Sequence, residues 1–252
     1  MARYELLNNI AHRELRVATG FGPEFGDEVG MVPAYPSEFA ELQREYPIFL
    51  RRDAASGAWQ SVALLGFEQH ENLFLQEGRW NASYLPGAAA KGPFLIGFQE
   101  DWVDGELVQQ AVMHVDLDHP RVNTDAGEPV FLPQGGNSAY LDHIAGVLRG
   151  IHDGNAFGTD MFAALDAKGL IQPIKLDVQI DQQHRVGVNG LHGIDRDRLA
   201  LLDGADLREL NGAGYLEGAY LMLASLHNMR RLIAEKQRRL RTQESAVSTT
   251  RN

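Results

Sequence analysis

The side chains whose types and spacing could do chemistry cluster in the string His114-Val-Asp116-Leu-Asp118-His119. If the run Val108 to Val115 is a strand, His114 and Asp116 fall on one face, because strand side chains alternate. A later histidine such as His184 or His192 would then complete a set of two histidines and one carboxylate, which holds iron in oxygenases. A His-x-Asp pair also arises by chance in a chain with nine histidines, and the plainer reading is an acidic turn capping the chain before Pro120. His70-Glu71-Asn72 offers an acid–base pair, but position 74 is Phe and not the second histidine of a zinc helix. Asn72 is instead expected to bond back to nearby backbone. No G-x-S-x-G elbow and no G-x4-G-K-[ST] phosphate loop occurs. Gly20-Phe-Gly22 and Gly135-Gly136 lack the strand-to-helix setting of a dinucleotide site. With no cysteine, thiolate chemistry and disulfides are absent. No catalytic residue is assigned and no cofactor is expected.

Two other sets suit binding better than catalysis. Tyr46, Phe49, Trp59, Phe67, Phe74, Trp80 and Tyr84 either fill a core or line a pocket; Trp59, Trp80 and Tyr84 are the candidates to meet a small aromatic or sugar ligand. Arg230, Arg231, Arg238, Arg239 and Arg241 form the one concentrated basic surface in a chain of net charge −11. Arg230 and Arg231 are therefore the first candidates to contact a protein partner. The acidic balance argues against nucleic acid.

These residues need elements to position them. Residues 1 to 35 carry four glycines and two prolines and read as an extended arm with loops. A short helix capped at Ser37 should stop before Pro47. The runs Pro47 to Leu50 and Trp59 to Phe67 flank a polar turn at Asp53 to Gly57 and read as a hairpin. Further strands are expected over Pro93 to Phe98 and Val108 to Val115. From Ser138 the apolar period becomes helical, giving one helix through Ile151 and a second from Thr159 to Lys168. A strand pair over 171–188 turns at Asp181 to Gln183. Helices are then expected at Arg196 to Leu202, Ala205 to Asn211 and, longest, Tyr215 to about Arg241, with the arginines crowding its last turns and a frayed tail from 242. The N-terminus carries Glu5, His12 and Glu14 where an export signal needs an apolar stretch, and no window approaches a membrane span; a cytoplasmic location is expected.

Taken together, Tyr46-Pro-Ile-Phe-Leu-Arg-Arg52, Val62-Ala-Leu-Leu-Gly-Phe67, Glu71-Asn-Leu-Phe74 and Gly78-Arg-Trp80 with Tyr84 and Pro86 resemble the SapC-like family of bacterial proteins. The resemblance continues through Asp116-Leu-Asp118 before Pro120-Arg121-Val122, Gly190-Leu191 with Ile194-Asp195 and Leu199, and Leu223 to Leu232, from about residue 30 to 240. The family's name derives from a locus linked to bacterial surface layers. The resemblance implies neighbours such as TonB-dependent receptors, tryptophan-halogenase-like proteins and cupin-like proteins in nutrient uptake or tailoring. A transport-permease role attached to some members does not suit a chain without an apolar span. No catalytic residue follows from the resemblance.

The expectation is a single α+β unit over 1–252. An antiparallel β-rich N-terminal lobe (1–135) packs on a mainly helical C-terminal lobe (136–252) that holds the additional strand pair. Its function is expected to be that of an accessory or binding protein. The alternatives are a metal-dependent, oxygenase-like enzyme built on His114 and Asp116, and a small-molecule sensor built on the aromatic set.

Overall fold

A computed structural model describes residues 3–103, 106–181 and 184–250; Gln182 and Gln183 of the expected turn lie outside the described residues. In chain order the strands are β1 (Tyr4–Leu6), β2 (Arg16–Val17), β3 (Met31–Pro33), β4 (Ile48–Arg52), β5 (Trp59–Leu64), β6 (Leu75–Gln76), β7 (Arg79–Trp80), β8 (Phe94–Val103), β9 (Glu106–Asp116), β10 (Val122–Asn123), β11 (Glu128–Pro129), β12 (Ile171–Gln179) and β13 (Arg185–Ile194). The helices are α1 (Phe39–Leu42), α2 (Gly87–Ala90), α3 (Ala139–Ala167), α4 (Arg196–Ala200), α5 (Gly204–Gly212), α6 (Tyr215–Ser225) and α7 (Met229–Thr250).

The main sheet is antiparallel with order β12-β13-β4-β5-β3. Ile48, Phe49 and Leu50 are consecutive and all buried, which is what a central strand covered on both faces requires and why it reads as an unbroken apolar run. The turn after β4 closes on Asp53, whose Oδ1 accepts from the Ala55 and Ser56 backbone N–H groups. The C-terminal strand pair joins this sheet through His192 opposite Leu50. A second sheet, β1-β9-β8, consists of a long hairpin with the arm's first strand laid against its base. The arm is thus woven into three sheets: β2 pairs with β10 and β11, and β3 with β5.

α3 is one helix of 29 residues and not two. Ser138 Oγ accepts from the Leu141 N–H at 3.1 Å, the expected cap. Its glycines at 154 and 158 look like breakers in the sequence but serve close packing. A Cβ at 154 would lie 2.4 Å from Ser37 Oγ and 2.8 Å from Tyr35 Cβ, and one at 158 would lie 3.3 Å from Pro36. Ser37 donates to the Gly150 carbonyl at 2.8 Å, so it ties its turn to α3 instead of capping α1. The first half of α3 packs Leu141, Ile144 and Leu148 with Leu15, Val17, Phe94 and Val115. The second half packs Met161, Phe162 and Leu165 into the main core.

The C-terminal helix departs from expectation in two ways. It breaks at a tight turn over Leu226–Asn228, where Ser225 Oγ accepts from the Ile48 N–H at 2.9 Å and Asn228 Nδ2 donates to Gln43 O at 2.8 Å. These polar contacts to the β4 region fix the bend. α7 then runs to Thr250, so the arginines lie in its first turn and along its middle and not in its last turns, and the tail expected to fray from 242 is helical as far as 250. Two of them, Arg231 and Arg239, reach partners outside the helix. Arg239 donates to the carbonyls of Asn72, Leu73 and Leu75, and Arg238 pairs with Glu235. Among the described residues, no helix is long and apolar enough to cross a membrane.

Candidate functional site

An open cleft of about 520 Å3 lies between α3 and the segments around Glu38 and Gly87. α3 supplies one wall through Gly146, Val147, Gly150 and Ile151, and the facing side carries Tyr35, Glu38, Tyr84, Leu85 and Ala90. The cleft exists because α3 bears a glycine at every fourth position from 146 to 158, a spacing that puts all four on one helix face. Gly154 and Gly158 are covered by the Tyr35–Ser37 turn, whereas a Cβ at 146 or 150 would meet nothing within 4 Å. The turn holds the two walls apart and the exposed half of the glycine face leaves the space between them.

Glu38 is 7% exposed and lines this cleft. Its Oε2 accepts from Tyr84 Oη at 2.9 Å and from the Gly87 N–H at 2.8 Å, and its Oε1 accepts from the Tyr35 N–H at 3.1 Å. One carboxylate therefore joins the Tyr35–Glu38 turn to the Tyr84–Gly87 segment. Burial pushes the Glu38 carboxyl above the ordinary range, and the hydrogen bonds from Gly87, Tyr84 and Tyr35 pull it only part of the way back. Burial and the adjoining Glu38 likewise push the Tyr84 and Tyr35 hydroxyls up, so both stay protonated donors near neutral pH.

A carboxyl whose folded pKa exceeds its unfolded value contributes stability that is present below the unfolded value and lost as pH rises through the folded one. Glu38→Gln removes that loss, while the amide, with one acceptor oxygen in place of two, adds a penalty independent of pH. The stability of Glu38→Gln relative to the native chain should therefore improve steadily between about pH 4 and pH 7. Urea denaturation across that range would read it; a difference that stays flat or falls with pH contradicts the assignment.

Of the aromatic candidates, Tyr84 belongs to this cleft. Trp80 does not: its indole N–H donates to Tyr46 Oη at 2.7 Å and its ring lies beside Phe74 and Phe21 in the interior. Trp59 lines a separate small cavity of about 110 Å3. Its ring lies under Arg52 and against His192, and its Nε1 is buried without a hydrogen-bond partner among the described residues. Arg231 pairs with Glu45 at 2.8 Å, donates to Asn81 O and lies over Phe74; Arg230 is exposed on the same helix.

His114 and Asp116 do share a strand, β9, in the β1-β9-β8 sheet. The His114 ring covers Gly97, where a Cβ would come within 2.6 Å of it. Asp116 Oδ1 accepts from the Arg3 and Asp118 N–H groups, as the capped-turn reading has it. His192 sits in the other sheet, and His184 is bonded to Asp181 beside it. Among the described residues, no group of three or more His, Asp or Glu side chains is placed to hold a metal ion. Asn72 bonds back to the Phe74 N–H.

Glu38 and the α3 glycines were not singled out from sequence. The every-fourth-residue spacing of Gly146, Gly150, Gly154 and Gly158 was the available signal. Glu38 gave none, because an isolated glutamate beside a short helix is ordinary.

The fold defines an α+β protein of antiparallel sheets with helices packed against them, and the cleft lies where α3 crosses between its two apolar clusters. The chain belongs to the SapC family: the model of that family, described as SapC, matches residues 7–232. The match takes in every residue of the cleft and stops within α7, short of Arg238, Arg239 and Arg241. No curated protein and no solved structure matches the chain.

Proposed function

We propose that this SapC-family chain is a binding protein that holds a small ligand in the Glu38 cleft and serves as an accessory to a partner protein in the cytoplasm. One observation carries the ligand site: a helix face kept bare by Gly146 and Gly150 opposite a buried carboxylate held by Tyr84, Gly87 and Tyr35. A cleft of this size, apolar on most of its lining with a few convergent polar groups, has the character of a small-molecule site. Three donors around Glu38 suit it to act as a fixed acceptor. The accessory role draws on the family resemblance and its association with uptake and tailoring loci, and exposed Arg230 is available for such a contact.

A fragment library screened by thermal shift against the native chain and Gly146→Leu tests the site. The added side chain has free space at its Cβ and should occupy the cleft that Gly146 lines. Fragments that stabilise the native chain should lose their effect on the variant, since stabilisation follows from binding the folded state. Hits that stabilise both proteins alike, or no hits, would count against the reading.

A further inference from the structure

We infer that the cleft selects a small organic ammonium ion with an apolar body, such as an arylalkylamine; the inference rests on the cleft being a ligand site. Among the described residues, the buried Lys, Arg, Asp and Glu are Arg121, Lys236 and Glu38. Arg121 meets Asp27 at 2.6 Å, and Lys236 meets Glu68 and Glu71 at 2.6 Å each. Glu38 has no such counterpart: among the described residues no Lys, Arg or His nitrogen lies within 4.0 Å of it. A buried charge is costly unless paired, and this one lines an open cleft in place of a closed core.

The surroundings repeat the preference. The lining includes Glu38, Asp142 and His143 and neither Lys nor Arg, in a chain of net charge −11. An ionised carboxylate offers about four lone-pair positions, and three are taken by Tyr84, Gly87 and Tyr35, leaving one for a donor from the ligand. Tyr35 and Tyr84 also line the cleft, and aromatic rings attract cations at close range, while Val147, Ile151 and Leu85 suit an apolar body. An anionic ligand would meet two carboxylates and no cation from Lys or Arg.

Calorimetry of the full chain at pH 7.5 with 2-phenylethylamine, 2-phenylethanol and 3-phenylpropionate tests charge at nearly constant shape. The amine should bind about tenfold or more tightly than the alcohol, with the acid weakest. Glu38→Gln should abolish the amine's preference, and Gly146→Leu should abolish binding of all three. If Glu38→Gln does not fold, His143→Gln decides, because it removes the histidine of the lining: in that variant the amine's preference should still shrink as pH falls and Glu38 is protonated. Amine and alcohol binding alike, both blocked in Gly146→Leu, would overturn the cation inference and leave the ligand site standing. Failure of the amine to bind, or a preference that survives Glu38→Gln or low pH, would also overturn it.

Discussion

Arg121→Ala should destabilise the protein by about 3–5 kcal/mol, a large fraction of a typical domain's total. The Arg121 guanidinium is 6% exposed and its partner Asp27 9%. Nη2 donates to both Asp27 oxygens, at 2.9 and 2.6 Å, and Nη1 donates to the carbonyls of Ala18 and Gly20. The rings of Phe21 and Phe25 lie 5.2 and 4.5 Å from its central carbon. One side chain thus gathers residues 18 to 27 of the arm onto the segment after β9. Removing it leaves the Asp27 carboxylate buried without a counter-charge and two carbonyls without their donor, and the cost of that exceeds the worth of the pair itself. Arg121→Lys should recover only part of the loss, because a single ammonium cannot serve the Asp27 carboxylate and the Ala18 and Gly20 carbonyls as two guanidinium nitrogens do. Urea denaturation measures both; a loss below about 1 kcal/mol for the alanine variant would place this contact among ordinary surface pairs.

The second large effect is a contrast within α3. Gly154→Ala should cost about 1–3 kcal/mol through overpacking, because its Cβ would meet Ser37 Oγ at 2.4 Å and Tyr35 Cβ at 2.8 Å. The serine hydroxyl can rotate away, but the tyrosine Cβ is fixed to its backbone. Gly146→Ala places the same methyl group in open space and should stabilise by about 0.5–1 kcal/mol, the gain of alanine over glycine in a helix interior. Thermal or urea unfolding of the pair should give shifts of opposite sign. Equal shifts would mean that the Tyr35–Ser37 turn does not seat on Gly154, and with it the geometry that props the cleft open would fail.

Much of the fold was legible because its signals are local. The apolar run Ile48-Phe49-Leu50, the Asp53 turn, the Ser138 cap and the Asp195 cap, which accepts from the Asp197 and Arg198 N–H groups, all declare themselves within a few residues. Long-range packing was not legible. Gly154 and Gly158 look like helix breakers until the Tyr35–Ser37 turn is laid on them. Ser225 and Asn228 look like ordinary helix residues until β4 and Gln43 bend the chain there. Arg231 and Arg239 read as free basic residues because the carbonyls they bond, those of Asn81 and Asn72, lie 150 and 167 residues away in sequence. Of the candidate site, Tyr84 stood out as an aromatic. Glu38 acquires its character from burial and from partners nearly 50 residues distant, and no sequence window contains that.

The central claim is that small molecules bind over Glu38, and amide chemical-shift mapping with 2-phenylethylamine tests it most directly. The account predicts perturbations concentrated on Tyr35 to Glu38, Tyr84 to Ala90 and Asp142 to Ile151. Perturbations centred instead on the Trp59 cavity or along α7, or none at saturating amine, would contradict it.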